Sequence, residues 1–373
     1  VIAQPRRKVA HLTSAHPAWD VRIAFRECGT LAAAGYEVVL VAGGDCGQPL
    51  PPGVRLRSVR KPRGRFDRMT RTVWDVFVAA LRERADVYHF HDPELIGVGL
   101  ALRALGHAVV FDVHEDIPKD IVDKPWIAPA FRKPIALAAA FVLRVLQKRF
   151  SAIVTATPAI ARRFNACRTV VVNNYPRLED LPIEALEERS REDAALYVGS
   201  ITQLRCIDEM VAAMTHPDLA PNVRLVLAGT FESERVERLV RRMRGWRRVQ
   251  FLGQCTRPQI KELLASARVG LLLYRAAANH EECLPNKLFE YLGAGLPVIV
   301  ADSMQCAQIV EHERCGLVVD PLDVRAIASA ITWFVQHPGL AQEMGERGRR
   351  LVLERYQWSS EAKKLTSLYE QIA

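Results

Sequence analysis

The stretch Glu281-Glu282-Cys283-Leu284-Pro285-Asn286-Lys287-Leu288-Phe289-Glu290-Tyr291-Leu292-Gly293-Ala294-Gly295-Leu296-Pro297-Val298-Ile299-Val300 decides how this chain is read. It predicts a polar loop, a short helix, a glycine stop and a buried strand. Pro285 suits a first helical turn, where its missing N–H is no loss. Leu288, Phe289 and Leu292 recur at helical spacing. Gly293 and Gly295 end the segment as glycines end helices, and Leu296 to Val300 is apolar enough for a strand covered on both faces. A helix that opens its free N–H groups beside a polar loop is an anion site. Glu290 lies about 7 Å along the axis from the helix start, at ~1.5 Å per residue. With a nucleoside diphosphate on the helix N-terminus, that depth matches the ribose, whose hydroxyls a carboxylate accepts in dinucleotide folds. Glu282, before the helix, is placed to address whatever the diphosphate carries. On spacing alone, two solvated glutamates favoured by the helix dipole explain the pattern equally well.

The pair Glu282-x7-Glu290, followed by Gly295-Leu296-Pro297-Val298-Ile299, resembles the donor-binding motif of glycosyltransferase family 4, a large retaining family with the GT-B fold. The run Pro285-Asn286-Lys287-Leu288-Phe289-Glu290-Tyr291 looks like its "PNKxFEY" branch. The resemblance implies an α/β architecture of two Rossmann-like domains facing each other across a cleft, with the C-terminal helix crossing back to the first. It implies a metal-independent transferase, without cofactor, that moves a sugar from a nucleoside diphosphate, UDP or GDP, to a glycan, glycolipid or small-molecule acceptor. It places Glu282 on the sugar hydroxyls and Glu290 on the ribose, with Leu284, Pro285, Asn286 and Lys287 lining the donor.

Length, charge and cysteine usage agree with an enzyme of two domains. The chain has 373 residues, 49% of them apolar, enough for two cores. Residues 1–183 hold 27 Lys and Arg against 17 Asp and Glu, and the remainder 24 against 25, so the first half carries the whole excess of +9. Such a field favours an anionic partner. Eight scattered cysteines without a CxxC pair fit reduced thiols in a cytoplasm. No leader is expected, since Val1 to Gln4 runs into Arg6-Arg7-Lys8, and Pro134 to Leu143 is too short to span a bilayer. The basic stretches 60–65, 68–84 and 124–149 carry aromatics among cations. They suit the surface of an anionic membrane or ordinary snorkelling about equally. Nucleic acid is not expected, because no recognised binding module is present.

Strands alternate with helices throughout, which predicts parallel sheets. Strands are expected at 8–14, 37–42, 55–60, 87–91, 108–113, 152–156 and 169–173, with a helix over Ile135 to Phe150 between the fifth and sixth. A second series runs at 195–198, 224–228, 249–252, 269–273, 296–300 and 316–319, closed by a final helix pair. A polar segment between Asn174 and Asp193, with seven carboxylates from Glu179 onward, marks the link. The expected domains are 1–183, 184–355 and a returning helix 356–373.

Ligands of open α/β sheets sit beyond the carboxyl ends of strands, and five further clusters fall there. Tyr197-Val198-Gly199-Ser200 leads to Arg205-Cys206. Gly199 permits close backbone approach, and Arg205 suits a bidentate phosphate clamp. The family usually reads "GR…KG" here, so Arg205 stands at the Lys, Ser200 replaces the Arg and Cys206 the Gly; Lys287 would supply the missing charge. His114, after Phe111-Asp112-Val113, matches the family's histidine near the transferred sugar and acceptor. In His89-Phe90-His91 both rings share a strand face. A metal pair is not expected, since no third ligand is spaced nearby, and His91 is expected on the acceptor side. Trp19, Asp20 and Arg22 stand where relatives place a Gly-rich loop. Asp20 reads first as a helix N-cap, and the three as acceptor-side residues second. Gly253 and Gln254 match backbone contacts to the base, with a plain turn as the alternative. No Asp-x-Asp, GxGxxG, Walker or GxSxG motif occurs. The competing functional reading is a non-catalytic GT-B partner binding nucleotide sugar or lipid carrier, favoured by Ser200 and Cys206.

Overall fold

The computed structural model describes residues 7–47, 49–124, 127–165, 168–182, 191–275 and 284–372. These form two compact units, Val1–Asn174 with Trp358–Ala373, and Tyr175–Gln357. The link expected at 183/184 lies outside the described residues.

The first unit is built on seven parallel strands, β1 (Lys8–Pro17), β2 (Glu37–Gly43), β3 (Val54–Val59), β4 (Val87–Phe90), β5 (Ala108–Val113), β6 (Ala152–Thr155) and β7 (Thr169–Val171), in the order β3-β2-β1-β4-β5-β6-β7. Side chains alternate across a strand, so one run feeds two cores. Val39 and Val41 enter one cluster, Val38 and Leu40 the other. The last helix, Trp358–Ile372, belongs to this unit. Leu365 and Leu368 bury against Ile23 and Leu31, Trp358 Nε1 donates to Thr30 Oγ1 at 2.8 Å, and Glu361 accepts from the Asn173 backbone N–H at 2.8 Å.

The second unit carries six parallel strands, β8 (Glu192–Val198), β9 (Arg224–Ala228), β10 (Val249–Gly253), β11 (Ala267–Leu272), β12 (Val298–Ala301) and β13 (Gly316–Val319), ordered β10-β9-β8-β11-β12-β13. Both sheets have the Rossmann arrangement, in which the strand order reverses beside the first strand. The helix Asn286–Gly293 precedes β12 as expected. Pro285 is its N-cap rather than a first-turn residue, and Gly295, at φ +61°, takes the left-handed position that ends it. The Arg191 guanidinium donates to the carbonyls of Leu264, Ala267, Ala294 and Gly295, satisfying the open ends of two helices.

Three helical expectations need correction. A long helix begins at Pro129 and reaches Leu146, not Ile135 to Phe150, because Pro134 is accommodated inside it. Ile117–Asp123 and Gln305–His312 are helices that periodicity missed. In the first of these Pro118 sits in the opening turn, where it starts a helix rather than breaking one. After β13 come three helices instead of two, since Pro338 separates Val324–Gln336 from Pro338–Arg355.

Candidate functional site

At the switch point of the second sheet, β8 runs out into Gly199 at φ +132°. A Cβ there would lie 2.4 Å from Lys287 Cε, 2.6 Å from its Nζ and 3.4 Å from Arg205 Nη1. Glycine therefore lets two cations close over exposed backbone. Arg205 is held in that place. Its N–H donates to Thr202 Oγ1 at 3.2 Å, Nη1 donates to the Ser200 carbonyl at 3.1 Å and the Tyr197 hydroxyl at 3.3 Å, and the guanidinium lies 5.6 Å from the Tyr274 ring centre. Ser200 thus contributes its carbonyl, while Cys206 is fully buried at φ 55°. Its thiol packs in the hydrophobic core, and that burial pushes it up to about 12. The left-handed backbone also explains why a glycine suits that position.

The helix that brings Lys287 is locked to the same strand. The buried Tyr291 hydroxyl accepts from the Val198 N–H at 2.9 Å, and its ring occupies space that Gly270 leaves in β11, where a Cβ would lie 2.4 Å from Cδ2. Leu288, Phe289 and Leu292 are buried, so the opposite face carries Lys287 and, one turn on, Glu290. Glu290 Oε1 pairs with Arg257 Nη1 at 3.4 Å. Arg257 starts the helix after β10, beyond Gly253 (φ +66°) and the exposed Gln254. The rim is continuous in backbone: Gly199 N–H donates to Ala228 O and Gly229 N–H to Gly253 O, both at 2.7 Å. Gly229, at φ +151°, passes so close to Gly199 O that a Cβ would collide at 1.8 Å. Leu284 is half-buried against the core, Pro285 buried and Asn286 half-buried. Glu282 lies outside the described residues.

The first sheet builds a different group at its own switch point. His11 and Thr13 come from β1, His89 from β4 with His91 just after it, Asp112 from β5 with His114 after it, and Arg22 and Glu27 from the helix Val21–Cys28. Asp112 is its centre. Arg22 forks onto it, Nε to Oδ2 at 3.2 Å and Nη2 to Oδ1 at 3.0 Å, and Nη1 donates to Val172 O at 2.8 Å. His114 Nε2 and His91 Nδ1 stand 2.9 Å and 3.2 Å from Oδ2. His91 Nε2 faces His11 Nδ1 at 3.0 Å, and His89 Nδ1 faces the Tyr369 hydroxyl of the last helix at 2.8 Å.

Burial holds His11 and His89 well below the ordinary imidazole range and lowers His91 to about 4. Burial also raises the Glu27 carboxyl, reinforced by Asp112. Burial opposes the charge on Asp112 as well, but Arg22 and His114 outweigh it and keep that group ionised. Around the ionised Asp112 and Arg22, burial therefore biases the Glu27 carboxyl toward its protonated form and His11, His89 and His91 toward neutral imidazole.

Glu27, His89, His91 and Asp112 each present a ligand atom within 4.8 Å of the others, so His89 and His91 do have further ligand types beside them, contrary to the expectation from sequence. Arg22 forks onto Asp112, and its Nε also stands 3.0 Å from Glu27 Oε1, although among the described residues neither Glu27 oxygen has a hydrogen-bond partner. Beside this group, Asp92 accepts from the N–H groups of Ser14 and Ala15 and the Thr13 hydroxyl. It fixes the β1 turn where no glycine-rich loop exists. Asp92 also pairs with His16 at 2.9 Å.

The structure brings Gly199, Arg205 and Lys287 together at one strand end, with Glu290 on the next turn of the Lys287 helix and paired to Arg257. Asp20 is an N-cap, accepting from Ile23 N–H at 3.0 Å, and Trp19 is exposed. Arg22 and His91 are buried and touch His114 through Asp112, whereas the His114 side chain keeps 16% exposure. Sequence reasoning missed Gly229, Arg257 and Tyr291, and the role of Glu27. Gly229 directly follows the strand Arg224–Ala228, so its place at a strand end was a usable signal.

Two family descriptions match the chain: a glycosyl transferase 4-like domain over residues 22–174 and glycosyl transferases group 1 over residues 179–351. The chain is a glycosyltransferase of the GT-B, family 4-like type. An uncharacterized glycosyltransferase of Methanocaldococcus jannaschii is 26% identical over 48% of this chain and 45% of its own length. The MMP alpha-(1->4)-mannosyltransferase of Mycolicibacterium hassiacum is 22% identical over 77% of this chain and 71% of that one. Among solved structures, the sucrose-phosphate synthase of Thermosynechococcus elongatus covers 98% of this transferase and 99% of itself, with a TM-score of 0.76 and 21% identity. Anabaena HepE, solved with UDP and glucose, covers 98% of this chain and 100% of itself, with a TM-score of 0.72 and 15% identity.

Proposed function

We propose that this glycosyltransferase is retaining and metal-independent and takes its sugar from a nucleoside diphosphate, UDP or GDP, bound on the Tyr175–Gln357 unit. The observation that carries the reading is the convergence of Lys287 and Arg205 over Gly199, with Glu290 one helical turn from Lys287. Two fixed cations and a helix N-terminus neutralise the leaving diphosphate, the preorganised charge that lowers such barriers most. The bond from the anomeric carbon to the diphosphate oxygen breaks. A bond to the acceptor oxygen forms on the same face, and the acceptor proton passes to the departing diphosphate. Glu290 takes the ribose, Glu282 the sugar hydroxyls, and Gly253 with Gln254 the base. His114, oriented by Asp112 and His91, addresses the sugar or acceptor, which the first unit receives. The solved HepE complex with UDP and glucose supports a nucleotide-sugar donor for this fold. Surface polysaccharide or glycolipid assembly is the setting that suits such an enzyme.

The test is turnover of UDP- and GDP-sugars, including slow hydrolysis, with chelator present. Product of retained configuration, abolished in Glu282→Ala with an unchanged melting temperature, supports the reading. Wild-type turnover in that variant overturns the mechanism, and binding without any turnover favours the non-catalytic partner.

A further inference from the structure

The 18-residue helix Pro129–Leu146 buries a narrow stripe. Ala136 and Leu143 are buried and Ala139, Ala140 and Leu146 half-buried, at helical spacing. Its other face is open and apolar. Phe131 is 63% exposed, Leu137 72%, Phe141 68% and Val145 52%, with Ile135 and Val142 between them. From Pro129 to Phe150 the chain has no carboxylate, and its five cations, Arg132, Lys133, Arg144, Lys148 and Arg149, stand at the two ends of the apolar run. Soluble surfaces scatter large apolar groups singly, and a contiguous apolar face has an occupant.

Charge decides which occupant. The nearby acids Asp116 and Asp120 are already paired with Arg163 and Lys124, so a second copy laid on this face would set five cations against five, which disfavours self-association. No described helix is long and apolar enough to cross a membrane, but an amphipathic helix with terminal cations lies in the bilayer surface, its apolar side ~5–10 Å deep. Beside it a cavity of about 280 Å³ is lined by Pro118, Leu143, Arg144, Arg162, Arg163 and Phe164. Arg163 is held by Asp116 at 2.7 Å, and the Arg144 and Arg162 guanidinium groups beside an apolar floor fit a phosphate headgroup with its glycerol.

We infer that the Pro129–Leu146 face docks this transferase onto an anionic bilayer, with Arg144 and Arg162 receiving a lipid phosphate. The inference goes beyond the donor reading and does not rest on it. Flotation of the full chain with phosphatidylcholine vesicles, alone or mixed with phosphatidylglycerol, tests it. Leu137→Ser/Phe141→Ser and Arg144→Glu/Arg162→Glu are carried alongside, with circular dichroism and nucleotide thermal shift as controls for fold and donor site. Wild type is expected to float only with the anionic vesicles, less so in high salt. Each double variant should lose about tenfold in partition, since stable anchoring needs both apolar and basic signals, while keeping its nucleotide response. No binding to anionic vesicles, or binding undiminished in both variants, overturns the inference. So does a concentration-dependent dimer that Leu137→Ser/Phe141→Ser abolishes.

Discussion

Gly199→Ala is the substitution whose consequence the structure dictates most fully. At φ +132° an L-residue is strained, a cost of ~1–3 kcal/mol. The new methyl would sit 2.4 Å from Lys287 Cε, the distal part of a flexible side chain. The ammonium therefore moves and the strand stays. A hydrogen bond to a charged group contributes ~1.5–3 kcal/mol, so displacing Lys287 from a phosphate lowers donor affinity roughly 10- to 150-fold, at 1.4 kcal/mol per decade. Titration calorimetry with UDP or GDP measures it, and calorimetric melting reports the strain separately. Lys287→Met should lose a similar factor, and the double variant little more than either alone, because both remove one contact. A melting shift with wild-type nucleotide affinity, or fully additive losses, would refute the placement of Lys287 on the diphosphate.

Two further outcomes concern the first unit. His11, His89 and His91 are neutral when folded and titrate near the ordinary 6.5 when unfolded. The unfolded chain then binds more protons, so stability falls as pH drops through 6.5 towards 4. His91 alone, lowered to about 4, accounts for about 3 kcal/mol over that window at ~1.4 kcal/mol per unit. His16 and Glu27 run the other way: Asp92 prevails over burial and raises His16, and burial raises the Glu27 carboxyl, so both bind protons on folding as pH falls and offset part of the loss. Scanning calorimetry at pH 7 and pH 5 should show the first unit's transition moving down ahead of the second's; parallel movement would contradict this. Asp112→Asn leaves Arg22 buried without its carboxylate and should cost ~3–5 kcal/mol. Glu27→Gln, which mimics an already protonated carboxyl, should cost far less, and a reversed ranking in urea unfolding would put the charge on Glu27 instead.

Strands were the readable part of this chain because a parallel sheet covered on both faces leaves near-continuous apolar runs such as Val298-Ile299-Val300. Helix ends were harder, since prolines at 118, 134 and 338 have three different meanings: first turn, tolerated interior and a new start. The strand-end group of Gly199, Arg205 and Lys287, with Glu290 on the same helix, was legible because strand ends and glycines mark it locally. Arg257 and Tyr291 were not, as each acquires its role from a neighbour far along the chain. The histidine cluster shows the same limit. Asp20 as an N-cap is a local matter and was read, whereas Glu27 meets His89 and Asp112 only once three elements pack. No pattern within the helix Val21–Cys28 announces a buried carboxyl.

The most direct test of the account is the affinity of UDP and GDP for the wild-type chain and for Glu290→Gln, measured by titration calorimetry at one salt concentration. A carboxylate that accepts from the ribose hydroxyls predicts binding of the nucleotide by wild type and a loss of about tenfold in the variant, the ~1.5 kcal/mol of a charged hydrogen bond, with no change in melting temperature. Equal affinity in the two proteins would place the ribose elsewhere and contradict the donor site built around Asn286–Gly293.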